Sequence, residues 1–373
     1  MLIVNEVVLD MKNFVKKLLP VSLSRFALLS KDVEDIKANM LSASEARGIH
    51  DELHWDVSVQ LLNEVKALRD DFKSHDEKAM LFAWEEYRKE GEALIDAKKR
   101  FFKSLPAATG SLRLLQLGSA KLLADFDSLC RDNDIPYFAT CGTLLGAARH
   151  SGFIPWDDDI DLGMLREDIE RLIGLVQSND RFRVSVAFDG FVQCRQVRFQ
   201  YADESIPLFL DIFIFDWAST DNVEIYDQQL QIREAMVERM RNDSCLSSWI
   251  DKSCVPATDP NMGIVDSLFS NAINEEKTAG FVCDRNDAKA VIWSIDNTVG
   301  VDNFHWVSPL DEIFPLIDLE FEGMQIKAPC KYIELLTKHY GDPFNLPNDI
   351  ASHFKHTDVA DGATAGALRQ LLG

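Results

Sequence analysis

The chain has 373 residues, 46% hydrophobic and 27% charged, enough for a large core plus an accessory region. Its 61 acidic against 39 basic residues give a formal charge of −22, which argues against DNA or RNA as a partner. Seven cysteines without a CxxC pair argue against a disulfide framework or zinc ribbon, leaving at most a dispersed zinc site among the four between residues 245 and 330. No apolar run reaches the ~20 residues of a membrane span. Reduced thiols, and an opening Met1–Asp10 that carries Glu6 and Asp10 with no basic lead-in, predict a cytoplasmic chain without a secretory signal.

From Lys12 to Arg25 basic and apolar residues run together in an otherwise acidic protein. Two readings fit: an amphipathic helix on the inner face of an anionic membrane, or a helix packed on the body with its lysines solvated. Pro20 interrupts the pattern and weighs against the first. From Ser42 to Ser104 helix formers dominate. Leu61, Val65, Leu68 and Phe72 share one helical stripe; Leu81, Trp84 and Tyr87 recur at steps of three, and Leu94 and Phe101 seven apart. This predicts either a helical arm for homo-oligomer formation or a helical layer on the core. Leu105–Gly110 reads as a linker, dividing a mainly helical region, 1–108, from a larger body, 109–373.

In the body, Ser111 opens a helix with Leu115, Leu122, Phe126 and Leu129 inward, ending at Asn133-Asp134. Ile135–Thr140 reads as a buried strand, Thr143–Arg149 as a short helix, Ser151-Gly152 as a turn and Ile160–Met164 as a strand. A helix follows over Arg166–Val176. Phe182–Val186 and Phe191–Phe199 alternate like strands joined by a hairpin turn at Asp189-Gly190. Leu208–Phe215 is apolar apart from Asp211, as a central strand would be. Asp221 caps a helix to about Arg241; Asp243–Asn303 is irregular except for a strand at Ala290–Trp293. Phe321–Met324 makes a turn between short strands, and a helix through Tyr332–Leu336 ends at Tyr340-Gly341-Asp342.

The chemistry concentrates in Trp156-Asp157-Asp158-Asp159-Ile160-Asp161. On an extended segment Asp157, Asp159 and Asp161 share one face, roughly 6–7 Å apart at the backbone. Carboxylates that close are costly unless a cation lies among them, and magnesium or manganese is the usual one. A solvated acidic turn is the bland alternative. Against it stand the apolar flank of Ile154, Pro155, Trp156, Ile160 and Leu162, and Asp211, isolated in an apolar strand where a bare carboxylate is expensive. Cys141-Gly142-Thr143 offers a helix start whose N–H groups suit a phosphate. Arg149 and His150 could reach that phosphate, or simply cap the helix end.

The run from Gly142-Thr143-Leu-Leu-Gly-Ala-Ala-Arg149-His150 through Trp156-Asp-Asp-Asp-Ile-Asp161-Leu-Gly-Met164 closely resembles the signature of the LicD family, which includes bacterial phosphocholine transferases and the fukutin and fukutin-related proteins. The likeness continues at Leu210-Asp211-Ile212-Phe213, Asp216, Phe314-Pro315, Phe321-Glu322-Gly323 and Tyr340-Gly341-Asp342, covering about residues 112 to 350. It implies an α/β (α+β) fold of nucleotidyltransferase type, a mixed sheet flanked by helices. The implied reaction moves a phosphorylated alcohol from a CDP-activated donor to a glycan, lipid-linked or membrane-proximal, as in the building of lipopolysaccharide or capsule. By the same resemblance Asp159 and Asp161 are paired ligands of a divalent cation with Asp157 nearby, Asp211 is the third carboxylate, as ligand or general base, and Gly142 and Thr143 face the donor phosphates. The cysteine-bound zinc of the fukutin-related branch is not carried over, because no compact cysteine set exists here. Transfer of a nucleotide itself to a small molecule or protein is the alternative reaction. A decayed, purely binding module is the third reading, against which all three key aspartates are present.

Overall fold

The computed structural model describes residues 78–250, 252, 255–297, 305–345 and 362–373; the readings for Lys12–Arg25 and for the stripe from Leu61 to Phe72 lie outside them. The chain divides into two compact units, residues 1–98 with 346–348, and residues 99–345 with 349–373. In the first, residues 78–87 are helical. Trp84 is buried there with the Lys98 ammonium 5.7 Å from its ring centre, while Leu81 and Phe82 are exposed.

The elements run α1 (Leu94–Ser104), α2 (Gly110–Asp132), β1 (Phe138–Ala139), α3 (Cys141–His150), β2 (Asp161–Leu165), α4 (Arg166–Val176), β3 (Phe182–Asp189), β4 (Cys194–Tyr201) and β5 (Phe209–Ala218). They continue α5 (Ile225–Asn242), α6 (Met262–Ala279), β6 (Ala290–Trp293), β7 (Val307–Pro309), α7 (Leu310–Ile313), β8 (Ile317–Phe321), β9 (Met324–Ala328), α8 (Tyr332–Tyr340) and α9 (Gly362–Leu372). This is an α/β protein with a seven-stranded mixed sheet flanked by helices. The strand order is β1-β2-β5-β4-β3, and β2 runs parallel to β5. Leu162 and Val197 both pair with Ile212, so β2 and β4 lie on opposite edges of β5. β6 takes over the β4 edge at Phe215–Ala218, with β7 beyond it. β8 and β9 form a separate hairpin. Among the described residues no helix is long and apolar enough to cross a membrane.

One face of the sheet is a closed core. Leu162, Met164, Val197, Phe199, Leu210 and Ile212 point to it and meet Leu115, Leu122, Leu123 and Phe126 of α2. A second cluster gathers Phe188 with Met236 and Met240 of α5 and Val265 and Phe269 of α6. Side chains alternate along a strand, so the opposite face receives Asp161 from β2, Phe209, Asp211, Phe213 and Phe215 from β5, and Arg198 from β4.

Several expected boundaries move. The strand expected over Ile135–Thr140 pairs only at Phe138–Ala139. The turn at Asp189-Gly190 extends to Gln193, because the Gly190 amide bonds the Lys252 carbonyl (2.8 Å) and diverts the chain, leaving Phe191 exposed. The helix expected from Asp221 starts at Ile225, after an Asx turn in which Asn222 Oδ1 accepts the Glu224 amide. The stretch after Asp243, read as irregular, contains the 18-residue α6.

Candidate active site

The site is built where β1 turns into α3. Thr140 is extended and Cys141 has φ +44°, which brings the first amide of the helix round towards the start of β2. Two hydrogen bonds then lock strand to helix. The Gly142 amide donates to Asp161 Oδ2 (3.3 Å), and the Asp161 amide donates to Thr143 Oγ1 (2.8 Å). Gly142 makes a close approach to the cluster: a Cβ there would lie 2.8 Å from Asp157 Oδ2 and 3.7 Å from Asp161 Oδ2, so the Asp157 carboxylate would have to shift.

Asp161 and Asp211 are direct partners in the parallel β2–β5 pair, and the Asp211 amide donates to the Ile160 carbonyl at 2.9 Å. The carboxylates of Asp159, Asp161 and Asp211 offer oxygens within 4.8 Å of one another, and so do those of Asp157, Asp158 and Asp159. The expectation of a single extended segment for Asp157, Asp159 and Asp161 is corrected here. β2 begins only at Asp161, and Asp157 closes a turn through its amide to the Ile154 carbonyl (3.0 Å). The carboxylates therefore converge by turn geometry rather than by strand parity, which is why Asp158, which strand alternation would send to the opposite face, joins Asp157 and Asp159.

The acidic loop is braced from behind. The Gln116 side chain of α2, fully buried, donates its amide to the carbonyls of Asp157 (2.9 Å) and Ile154 (3.4 Å). Arg113 donates to Gln116 Oε1 (3.1 Å) and to both oxygens of Glu322 (3.1 and 2.7 Å) at the tip of the β8–β9 hairpin. Glu322 also accepts the Phe153 amide (3.2 Å), and its own amide donates to the Ser151 carbonyl (2.9 Å). Gly152 fits under it because a Cβ there would come 2.6 Å from Glu322 Oε1.

Burial, then the charges of Asp159, Asp211 and Asp157, push the Asp161 carboxyl well above the usual range, against the pull of the Gly142 amide. Beside it, burial and Asp161 push the Cys141 thiol up. A buried carboxyl raised in this way by its neighbours matches a divalent cation, and an all-oxygen set without histidine or thiolate suits magnesium or manganese better than zinc.

Of the residues expected at the site, Asp157, Asp159, Asp161, Asp211 and Gly142 come together. Thr143 is buried, with its hydroxyl spent on the Asp161 amide. Arg149 and His150 sit at the other end of α3, roughly 10 Å along its axis from Gly142. Arg149 is buried over the Phe102 ring (4.6 Å) and donates to the carbonyls of Pro343 and Asn345; burial lowers it to about 10. His150 Nδ1 faces the Phe102 carbonyl (2.9 Å), and burial lowers it to about 4. Both thus hold the backbone of other segments, a role different from the helix-end cap that stood as the alternative to phosphate binding.

Asp158, Gln116, Arg113 and Arg198 were missed. Gln116 had a readable signal, as a polar residue within the apolar stripe of α2. Arg198 had half of one. It alternates with Val197 and Phe199, which puts it on the polar face, but nothing in the sequence gives its register against Asp211.

Comparison with known proteins places this geometry. Residues 134–245 match the model of the family described as LicD/FKTN/FKRP, nucleotidyltransferase domain. The lipopolysaccharide cholinephosphotransferase LicD of Haemophilus influenzae is 30% identical over 256 residues, 64% of this chain and 92% of that protein. Human ribitol 5-phosphate transferase FKRP is 37% identical over 84 residues, 22% of this chain and 17% of its own length. An uncharacterised protein of Rickettsia prowazekii is 38% identical over 69 residues, 18% of this chain and 26% of its own. The likeness to the Haemophilus protein extends far outside the matched domain and makes this chain a phosphotransferase. It belongs to the LicD family.

Proposed function

We propose that the enzyme transfers a phosphorylated alcohol, of phosphocholine or phospho-alditol type, from a CDP-activated donor to a hydroxyl of a cell-surface glycan. The convergence of Asp159, Asp161 and Asp211 at the start of α3 carries this reading. The names of the two relatives, a lipopolysaccharide cholinephosphotransferase and a ribitol 5-phosphate transferase, support the transferred group and the glycan acceptor.

Asp157, Asp159, Asp161 and Asp211 would hold magnesium or manganese, which when bound neutralises the donor diphosphate and polarises the phosphorus under attack. The rest falls to the chain. Gly142 leaves room for the carboxylates against the helix start, and Thr143 fixes the backbone of Asp161. Gln116 and Glu322 hold the loop that carries Asp157. The acceptor hydroxyl oxygen forms a bond to the phosphorus of the transferred group as the bond from that phosphorus to the bridging oxygen breaks. CMP leaves with the electron pair, and Asp211, on the strand beside Asp161, takes the hydroxyl proton.

The test is incubation of the full chain with CDP-choline, CDP-ribitol or CDP-glycerol and a glycan acceptor, with magnesium or with EDTA. CMP release that needs the ion supports the reading. Asp159→Ala with full activity removes the catalytic assignment. The description of the matched domain as a nucleotidyltransferase favours one second reading, transfer of a nucleoside monophosphate. Pyrophosphate release from CTP would establish it instead.

A further inference from the structure

We propose that Arg198 binds the substrate diphosphate, presenting the two terminal nitrogens of its guanidinium to the phosphate oxygens. The inference rests on the transferase reading above and assigns that enzyme a residue for its anionic substrate, distinct from the acidic ligand set.

Three neighbouring strands put the residues in one row. Asp161 of β2 is paired with Asp211 of β5, and Asp211 with Arg198 of β4. Residues in direct register point to the same face of a sheet, so the guanidinium stands beside the carboxylate cluster by construction. It is held there at two points. Nε donates to Asp211 Oδ1 at 2.9 Å, and the guanidinium carbon lies 3.9 Å from the centre of the Phe209 ring. The plane of the group is therefore fixed, and its remaining N–H groups are left to aim.

Those groups are unspent. Nη1 and Nη2 of Arg198 make no hydrogen bond to any described residue, and the side chain is partly open to solvent. Other arginines of the body differ. Arg166 and Arg195 put their forks onto Asp216, Asp296 and Asp266, and Arg149 puts both donating nitrogens onto carbonyls. A planar fork, anchored at its root and open at its tips, matches two phosphate oxygens. The electrostatics need it, because a diphosphate approaching four carboxylates in a protein of charge −22 meets repulsion that a guanidinium in the same row offsets.

The experiment uses the full chain, magnesium and inorganic pyrophosphate as the probe, with calorimetric titration of wild type, Arg198→Gln and Arg198→Lys. At saturating magnesium, Arg198→Gln is expected to weaken pyrophosphate binding by ~10- to 100-fold, the range of hydrogen bonds to charged groups. Arg198→Lys should recover part of the loss, because it keeps the charge but not the fork. Magnesium alone should bind as well or more tightly to Arg198→Gln, since a cation beside its ligands has gone. Equal pyrophosphate binding by wild type and Arg198→Gln overturns the proposal, and so does a wild type that does not bind the probe. A fall in magnesium and pyrophosphate affinity by one common factor also overturns it, because Arg198 then only steadies Asp211. The transferase reading stands or falls separately. CMP release with one KM for the donor in wild type and Arg198→Gln dismisses Arg198 alone. Arg198-dependent pyrophosphate binding in a protein that releases no CMP from any CDP-alcohol dismisses the donor alone.

Discussion

Replacing Gly142 by alanine sets stability and function against each other. Gly142 lies in the first turn of α3 and has no positive φ, so a methyl is compatible with its backbone. Alanine is favoured over glycine in a helix by about 1 kcal/mol in the interior, and by less near an end. The new methyl, however, would stand 2.8 Å from Asp157 Oδ2, where non-bonded heavy atoms settle nearer ~3.5 Å. Asp157 is buried, so its carboxylate must shift by several tenths of an ångström within a packed loop, at about 1 kcal/mol or somewhat more. The two terms nearly cancel, and Tm in the absence of metal is expected to move by only a few degrees. The carboxylate cluster does not recover so easily, because a misplacement of ~1 Å at a reacting centre costs on the order of 100-fold in rate. Gly142→Ala is therefore expected to need about tenfold more magnesium for half-maximal CMP release and to lose thermal stabilisation by the ion in proportion. An alanine protein with the wild-type magnesium requirement and wild-type rate would refute the placement of the cation beside this turn.

Other consequences can be measured in the same protein. Gln116→Leu removes the amide that serves two buried carbonyls, and should cost about 1–3 kcal/mol in urea unfolding while raising the magnesium requirement; unchanged values for both would mean that the loop is braced elsewhere. Asp296 is fully buried, yet Arg166 and Arg195 outweigh burial and hold its carboxyl at about 2. Its stabilising contribution is complete above the ordinary carboxylate range and is lost as pH falls from about 4 towards 2. Asp296→Asn should cost roughly 3–5 kcal/mol at neutral pH and flatten that acid limb; an acid limb identical to wild type would contradict the assignment. Glu276 shows the opposite sign. Burial raises it to about 8, Gln229 donates to one of its oxygens (2.9 Å), and the other has no partner among the described residues. The neutral carboxyl costs nothing below about pH 4.5, and stability drains away as pH rises from there through 8. Glu276→Gln should raise Tm at pH 8 but not at pH 4, and an equal shift at both pH values would rule out titration as the cause.

Much of the centre of the fold is legible in the sequence. β5 is legible because Leu208–Phe215 is apolar apart from Asp211, and Asp211 stands out because a carboxylate in such a strand needs a reason. Gly142 and the aspartate run were legible for the same kind of reason, as residues costly to place unless something else requires them. What escaped depends on long-range register. The pairing of Arg198 with Asp211 comes from the antiparallel β4–β5 ladder, and strand alternation gives parity but not partner. The bracing ties Gln116 to carbonyls 38 and 41 residues on, and Arg113 to Glu322, 209 residues on, which no local pattern encodes. α6 was missed because its inward residues, Met262, Val265, Phe269, Ala272 and Ile273, alternate with serine and asparagine, which are weak helix formers. Strand parity fails in one place, where the chain turns at Asp157 before it becomes a strand.

The brace formed by Arg113, Gln116 and Glu322 bears on how small a working version of this enzyme can be. Residues 134–245, the segment matched by the family model, contain every proposed acidic ligand but none of these three. A fragment trimmed to those limits would keep the chemistry on paper while losing both walls against which Asp157 is set. Any shortened version should retain both α2 and the β8–β9 hairpin, because each bonds the loop at its own points, Gln116 at the carbonyls of Ile154 and Asp157 and Glu322 at Ser151 and Phe153.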